Sequence, residues 1–248
     1  MFKRFTRRQS VLQSDLFENF TDYHSHILPQ VDDGVQSIED AIRSLSELEK
    51  LGVQRVMLTP HIMELFHQNS CNTIRATFAN FKSKYNGKIK LEIAAEYMFD
   101  AQFNEHLESG DMLTLWGNFI LIETSYMSPP INFSATLHEI KSRGYSIVLA
   151  HPERYEYMGK DDYKDLKSDG ALFQLNLLSL SGYYGKRTRD RAIYLLDNEM
   201  YNIMGSDLHN IDTFQKWIKQ IELKPKQIDK LRKIKESQNK IDPTSNKL

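Results

Sequence analysis

Short runs of consecutive apolar residues alternate along the chain with longer stretches in which apolar side chains recur every three or four positions. The first pattern suits buried strands and the second amphipathic helices. It predicts strands at about 20–24, 55–61, 90–98, 118–124, 146–151, 172–176 and 202–207. The clearest helix carries Ile38, Ala41, Ile42, Leu45, Leu48 and Leu51 on one face. Ser37 precedes it as an N-cap, Glu39 and Asp40 suit the positive end of its dipole, and Gly52 closes it. Further helices are predicted at about 72–85, 134–143, 161–168, 186–198 and 211–220. Such alternation calls for parallel strands joined by right-handed crossovers. In 248 residues it makes one α/β domain, either an open doubly wound sheet or a barrel. No glycine-rich phosphate loop follows the first strand, which runs into Asp22-Tyr23-His24-Ser25-His26, so a nucleotide-binding sheet loses ground.

The two ends depart from the pattern. Residues 1–19 begin with a basic stretch and continue too polar for a signal peptide, so they read as a solvated basic tail. The domain is then expected over 20–222. From Lys224 on there are eight Lys or Arg against three acids, so 223–248 reads as a solvated basic helix and tail. No run of about 18 apolar residues occurs, so stable membrane insertion is not expected. With 32 basic against 33 acidic residues, the net charge of -1 gives no general attraction for nucleic acid. The single cysteine, Cys71, excludes an internal disulfide framework and points to a reducing, cytoplasmic setting. Any metal chemistry must therefore rest on histidine and carboxylate.

Those residue types end the predicted strands. The tips are His24 and His26, then His61, Glu96, Glu123, His151, and finally Asp207 with His209. The tips at 24, 61, 96, 123 and 151 lie 37, 35, 27 and 28 residues apart, one strand–helix unit each. In a parallel barrel the C-terminal strand ends converge on one face. Each tip alone is a weak signal, since a solitary His or Glu there is usually a satisfied or solvated side chain. Together they would crowd carboxylates whose mutual repulsion only cations relieve. Imidazole and carboxylate without thiolate suit Mn, Fe or Zn, and so many donors imply more than one ion. His106 and His138 fall on helical stretches and read as surface residues.

Four motifs stand in order: His24-Ser25-His26-Ile27-Leu28-Pro29-Gln30-Val31-Asp32-Asp33-Gly34, Thr59-Pro60-His61, His151-Pro152-Glu153-Arg154-Tyr155 and Ser206-Asp207-Leu208-His209. This set resembles the PHP (polymerase and histidinol phosphatase) superfamily, and within it the manganese-dependent bacterial tyrosine-protein phosphatases of the CpsB/YwqE kind. The resemblance runs from about Tyr23 to His209. It implies a distorted (β/α)7 barrel, TIM-like, with a metal site at the C-terminal ends of the strands and three divalent ions, Mn²⁺ foremost with Fe or Zn as alternatives. The ligands it implies are His24, His26, Asp33, His61, Glu96, Glu123, His151, Asp207 and His209. Gln30 departs from the family's usual glycine, and Ile62 stands where a second histidine is common.

The activity it implies is hydrolysis of phosphotyrosine by a metal-activated water, on a bacterial tyrosine autokinase of capsule or exopolysaccharide synthesis. Arg154 would hold phosphate oxygens with its planar fork, against the bland alternative of a structural ion pair. Asp207 or His209 would act as general acid. Tyr155 and His67 are candidate substrate contacts, as are Tyr126, Tyr183 and Tyr184 by stacking. Asn176 and Ser179 would support the site from behind. A small-molecule phosphatase of the same superfamily and a non-catalytic metal-binding module are the competing readings. Thiol catalysis is excluded, because the C-x5-R spacing from Cys71 arrives at Thr77 and Arg75 is four residues on.

Overall fold

The computed structural model describes residues 8–242. In chain order the elements are β1 (Gln9–Ser10), β2 (Phe20–Asp22), α1 (Ile38–Leu51), β3 (Val53–Leu58), β4 (His61–Ile62), α2 (Cys71–Lys84), β5 (Lys90–Ile93) and β6 (Glu96–Met98). They continue with α3 (Ala101–Ser109), β7 (Phe119–Glu123), α4 (Phe133–Ser142), β8 (Ser146–Ala150), α5 (Lys160–Ser168) and β9 (Leu172–Asn176). The last are α6 (Lys186–Asp197), β10 (Ile203–Gly205), α7 (Ile211–Ile218), β11 (Glu222–Leu223) and α8 (Pro225–Ile241). Ser37 caps α1 by accepting from the Asp40 amide, and Gly52 closes it at φ 102°.

Two of the expected strands are interrupted. Thr59-Pro60 divides β3 from β4, and Ala94-Ala95 divides β5 from β6. A proline supplies no amide to a ladder, so pairing must step across it. Bonds from Ala94 N to Leu58 O (2.9 Å) and Glu96 N to Pro60 O (3.1 Å) carry it over both breaks. The result is a parallel sheet in two parts, β2-β3-β5 and β4-β6-β7-β8-β9-β10. It curls until its ends meet: Tyr23 N donates to Met204 O (3.2 Å) and Asp207 N to His24 O (2.8 Å).

The strands bury both faces, as parallel strands under helices must. In β8, Ile147 and Leu149 join the large core under the helices, while Val148 and Ala150 join a smaller cluster with Tyr23, Met57, Leu121 and Ile203. Alternation puts Glu123 on the same face as Leu121, and Glu96 on that of Ala94. The inner apolar cluster is thus continued by acids.

The chain ends are built into this body. β1 pairs antiparallel with β11, and Val11, Leu16 and Phe17 are buried. From Gln9 on, the expected N-terminal tail is therefore packed structure; its basic beginning, 1–7, lies outside the described residues. The C-terminal helix forms as expected but is not merely solvated. Ile228, Leu231 and Ile234 are buried as one apolar stripe, and the polar Gln238, one turn further on, is buried with them. Gln238 donates to Thr21 O (3.2 Å) and accepts from Met204 N (3.2 Å), tying β2 to β10. Past the helix, Asp242 pairs with the fully buried Arg55 and accepts from Tyr23 Oη at 3.1 Å.

Removing one partner of a buried ion pair leaves the other charge desolvated. Asp242→Ala should cost about 3–5 kcal/mol, read as a lowered urea midpoint. A second expectation concerns Gln30, which sits at φ 63° where a Cβ is strained. Gln30→Gly should raise stability by about 1 kcal/mol in the same measurement.

Candidate metal centre

The nine strand-end donors converge. His24 and His26 follow β2, Glu123 ends β7, His151 follows β8, and Asp207 and His209 follow β10. His61 and Glu96 open β4 and β6, just past the interruptions, and are register partners. Asp33 reaches in from the loop after β2, its Oδ1 3.6 Å from His61 Nε2 and 3.4 Å from His209 Nε2. That loop needs Gly34, because a Cβ there would lie 2.1 Å from the carbonyl oxygen of His26.

Hydrogen bonds behind the rings decide which atoms face inward. Gln174 Nε2 donates to Leu175 O (2.7 Å), which turns its Oε1 toward His24 Nδ1 at 3.0 Å. Asp32 Oδ2 lies 2.8 Å from His26 Nδ1 and accepts the His61 amide at 3.0 Å. Both Nδ1 atoms must therefore donate, which leaves the Nε2 lone pairs of the neutral rings pointing inward. Those two Nε2 atoms are 3.1 Å apart. Glu96 Oε2 lies 3.1 and 3.3 Å from them, and Asp207 Oδ1 3.4 and 3.3 Å. Four acceptors aimed at one point call for positive charge between them.

Without a cation, protons take that place. Burial disfavours a charged His24, but Glu96 and Asp207 outweigh it and lift the ring to about 9. His26 is also raised well above the usual imidazole range, Asp32 overcoming burial in the same way. Burial likewise opposes the charges on Glu96 and Asp207, yet His24 and the other rings hold both well below the usual carboxylate range. Protons do not satisfy the whole site: His61 Nδ1, His151 Nδ1 and Glu96 Oε2 are buried without a hydrogen-bond partner. Donor atoms close enough to share an ion form four sets: His26-Asp33-His61-His209, His24-Glu96-His151, His24-His26-Asp207 and His61-Glu96-Glu123. The orphaned atoms and the hard, mixed donor set fit divalent metals. The backbone is strained where two of these donors sit, with φ 32° at His151 and 51° at Asp207.

Residues 20–230 match the family described as capsular polysaccharide synthesis, CpsB/CapC. The chain belongs to the CpsB/CapC family. Among its relatives, CapC of Staphylococcus aureus is 27% identical over 208 residues, 81% of each chain. The tyrosine-protein phosphatase YwqE of Bacillus subtilis is 26% identical over 198 residues, 77% of this chain and 78% of that one. A solved structure from work on YwqE and on CpsB of Streptococcus pneumoniae, called unique metal-dependent tyrosine phosphatases, superposes with a TM-score of 0.72. It is 24% identical and covers 78% of this chain and 81% of its own.

In this CpsB/CapC member six of the donors, Asp33, His61, Glu96, His151, Asp207 and His209, line a cleft of about 380 Å³ walled by Tyr126, Arg154, Tyr183, Tyr184 and Phe214. Arg154 is held face-on between Tyr126 and Tyr184, with its guanidinium carbon 4.3 and 4.2 Å from the two ring centroids. It also pairs with Asp207 Oδ2 at 3.0 Å. The ion-pair alternative is thus real, and the pair lies inside the cleft. Tyr126 and Tyr184, expected to stack on a substrate ring, stack on this arginine instead. Two expected substrate contacts are misplaced. Tyr155 is fully buried and donates to Ala150 O (2.8 Å), because its ring packs beneath Tyr126. His67 is exposed on the loop after β4 and does not line the cleft. Asn176 does support the site, donating to Asp207 Oδ2 at 2.7 Å. Sequence reasoning missed Asp32 and Gln174. The doubled acid in Val31-Asp32-Asp33-Gly34 was the available signal for the first; a glutamine inside an apolar strand was the signal for the second.

The raised His24 carries a sign. A ring whose folded pKa lies above its unfolded 6.5 stabilises the fold below 6.5, and that contribution is lost as pH rises to about 9. Chelator-treated protein should therefore lose thermal stability between pH 6.5 and 9. Added Mn²⁺ should restore it most at the alkaline end, because fewer protons then compete.

Proposed function

We propose that the chain is a metal-dependent protein-tyrosine phosphatase. The observation that carries this reading is the placement of one half-buried guanidinium, Arg154, beside nine convergent imidazole and carboxylate donors. The proposed assignment makes all nine ligands, holding three divalent ions, Mn²⁺ in first place, at the C-terminal strand ends of a distorted (β/α)7 barrel. Ions held there supply positive charge that neutralises a phosphate dianion and acidify a water for attack on phosphorus.

The chain's own residues do the rest. Arg154 binds equatorial phosphate oxygens in bidentate fashion, exchanging part of its pairing with Asp207 for the substrate. The Tyr126 and Tyr184 rings restrict the guanidinium to one plane, so little side-chain freedom is lost on binding. His209 is the most open of the five rings, 32% exposed at its side chain, and faces the cleft. Its Nδ1 donates to Asp207 O (2.9 Å), which leaves Nε2 for ligation rather than for proton transfer, and a phenolate, with pKa about 10, leaves with modest help. Cys71 takes no part: it is buried, donates to Asp111 O (3.0 Å), and burial pushes its thiol up. The proposed partner is a phosphotyrosine-bearing protein, a bacterial tyrosine autokinase of capsule or exopolysaccharide synthesis, met in the cytoplasm. No described helix is long and apolar enough to cross a membrane.

Purified protein with Mn²⁺ should hydrolyse a phosphotyrosine peptide and p-nitrophenyl phosphate, and act poorly on histidinol phosphate. Chelation should abolish turnover and iodoacetamide should leave it intact. Arg154→Ala should lower kcat/KM about 100-fold with metal content unchanged. Preference for histidinol phosphate would move the reading to a small-molecule phosphatase.

A further inference from the structure

Beside the cleft lies a second groove of about 400 Å³, lined by Ser181, Arg189, Lys216, Trp217 and Gln220. Two elements border both spaces. The 177–181 turn gives Leu178 to the cleft and Ser181 to the groove, and α7 gives Thr213 and Phe214 to the cleft and Lys216 and Trp217 to the groove. A row of rings joins them. Arg154 lies over Tyr184 (4.2 Å), Tyr184 meets Tyr183 (4.6 Å between centroids), and Tyr183 meets Trp217 (5.4 Å).

The charge here is unbalanced. On α6, Lys186 pairs with Asp190, and Arg187 and Arg191 pair with Glu156. Arg189 and Lys216 form no ion pair among the described residues. Arg189 spends only its Nε, on Leu180 O at 2.9 Å, and Lys216 Nζ stands 6.0 Å from the Trp217 ring. The groove thus presents two unneutralised cations around an aromatic plate, and no acid lines it.

We infer that this groove seats an acidic stretch of the polypeptide that carries the phosphotyrosine. The inference rests on the phosphatase reading and adds to it a preference among protein substrates. With the phosphotyrosine ring in the cleft, the neighbouring chain runs past Tyr183 toward Trp217. Thr213 and Trp217 are one helical turn apart, about 6 Å, and an extended peptide advances about 3.3 Å per residue. The groove therefore meets side chains roughly two to four positions from the phosphotyrosine. Glutamate or aspartate there would pair with Arg189 and Lys216, giving specificity and association rate more than tight binding.

The test uses three peptides with Glu, Ala or Lys at positions two to four on either side of the phosphotyrosine, and a matching set bearing a non-hydrolysable phosphonate. The Glu peptide should exceed the Lys peptide about tenfold, in phosphonate-peptide affinity and in kcat/KM, at low salt. The difference should shrink in 0.5 M NaCl and disappear in Lys216→Glu, while p-nitrophenyl phosphate turnover stays at the wild-type rate. Arg189→Gln should halve the effect or more. Equal binding of the three phosphonate peptides, or a Glu preference that survives in Lys216→Glu, would overturn the groove assignment. Retained Glu preference in binding with no turnover of any phosphotyrosine peptide would support the groove and sink the phosphatase reading instead.

Discussion

Everything in this fold answers to one electrostatic problem: five imidazoles and four carboxylates point their acceptor atoms at one small volume. A mostly buried assembly of that kind is untenable unless positive charge fills it. Protons lessen the conflict, and the raised His24 and His26 show how hard the carboxylates pull on them. Cations do better, because one ion can be shared by several donors whereas a proton serves one pair. The Asp32 and Gln174 contacts matter for the same reason: by occupying Nδ1 they commit both Nε2 atoms to the centre.

The alternation of runs and periodic stretches made the parallel α/β plan legible, because a parallel strand buries both faces and a crossover helix one stripe. The donors were legible because they close strands whose other residues are apolar. What escaped was set by contacts between distant segments. Nothing near Tyr155 in sequence says that its ring faces inward under Tyr126, or that Tyr126 and Tyr184 meet on Arg154. The ends were misread for a related reason. Their charge dominates the composition, but a helix needs only one apolar stripe to dock, and Ile228, Leu231 and Ile234 provide it. The two-residue pairing of β1 with β11 is too short to leave any period at all.

The strained backbones at His151 and Asp207 fit the same picture. Left-handed φ at residues with a Cβ persists only where the surroundings over-determine it. Here the His24 carbonyl holds the Asp207 amide at 2.8 Å and Gln174 holds the His151 amide at 3.1 Å. The rigidity of the sheet is thus transferred to the donors themselves.

The tie from Arg55 and Tyr23 to Asp242 has a consequence for the birth of the molecule. The strand leading to His24 and His26 is anchored by a residue more than 200 positions later. A ribosome adds about 5–20 residues per second, so those histidines wait ten seconds or longer for Asp207, His209 and the closing helix. Until Asp242 has left the exit tunnel, the strand that leads to His24 and His26 lacks this anchor. A chain stalled in its last helix would already contain all nine donors, yet the strand before the first two would not be anchored.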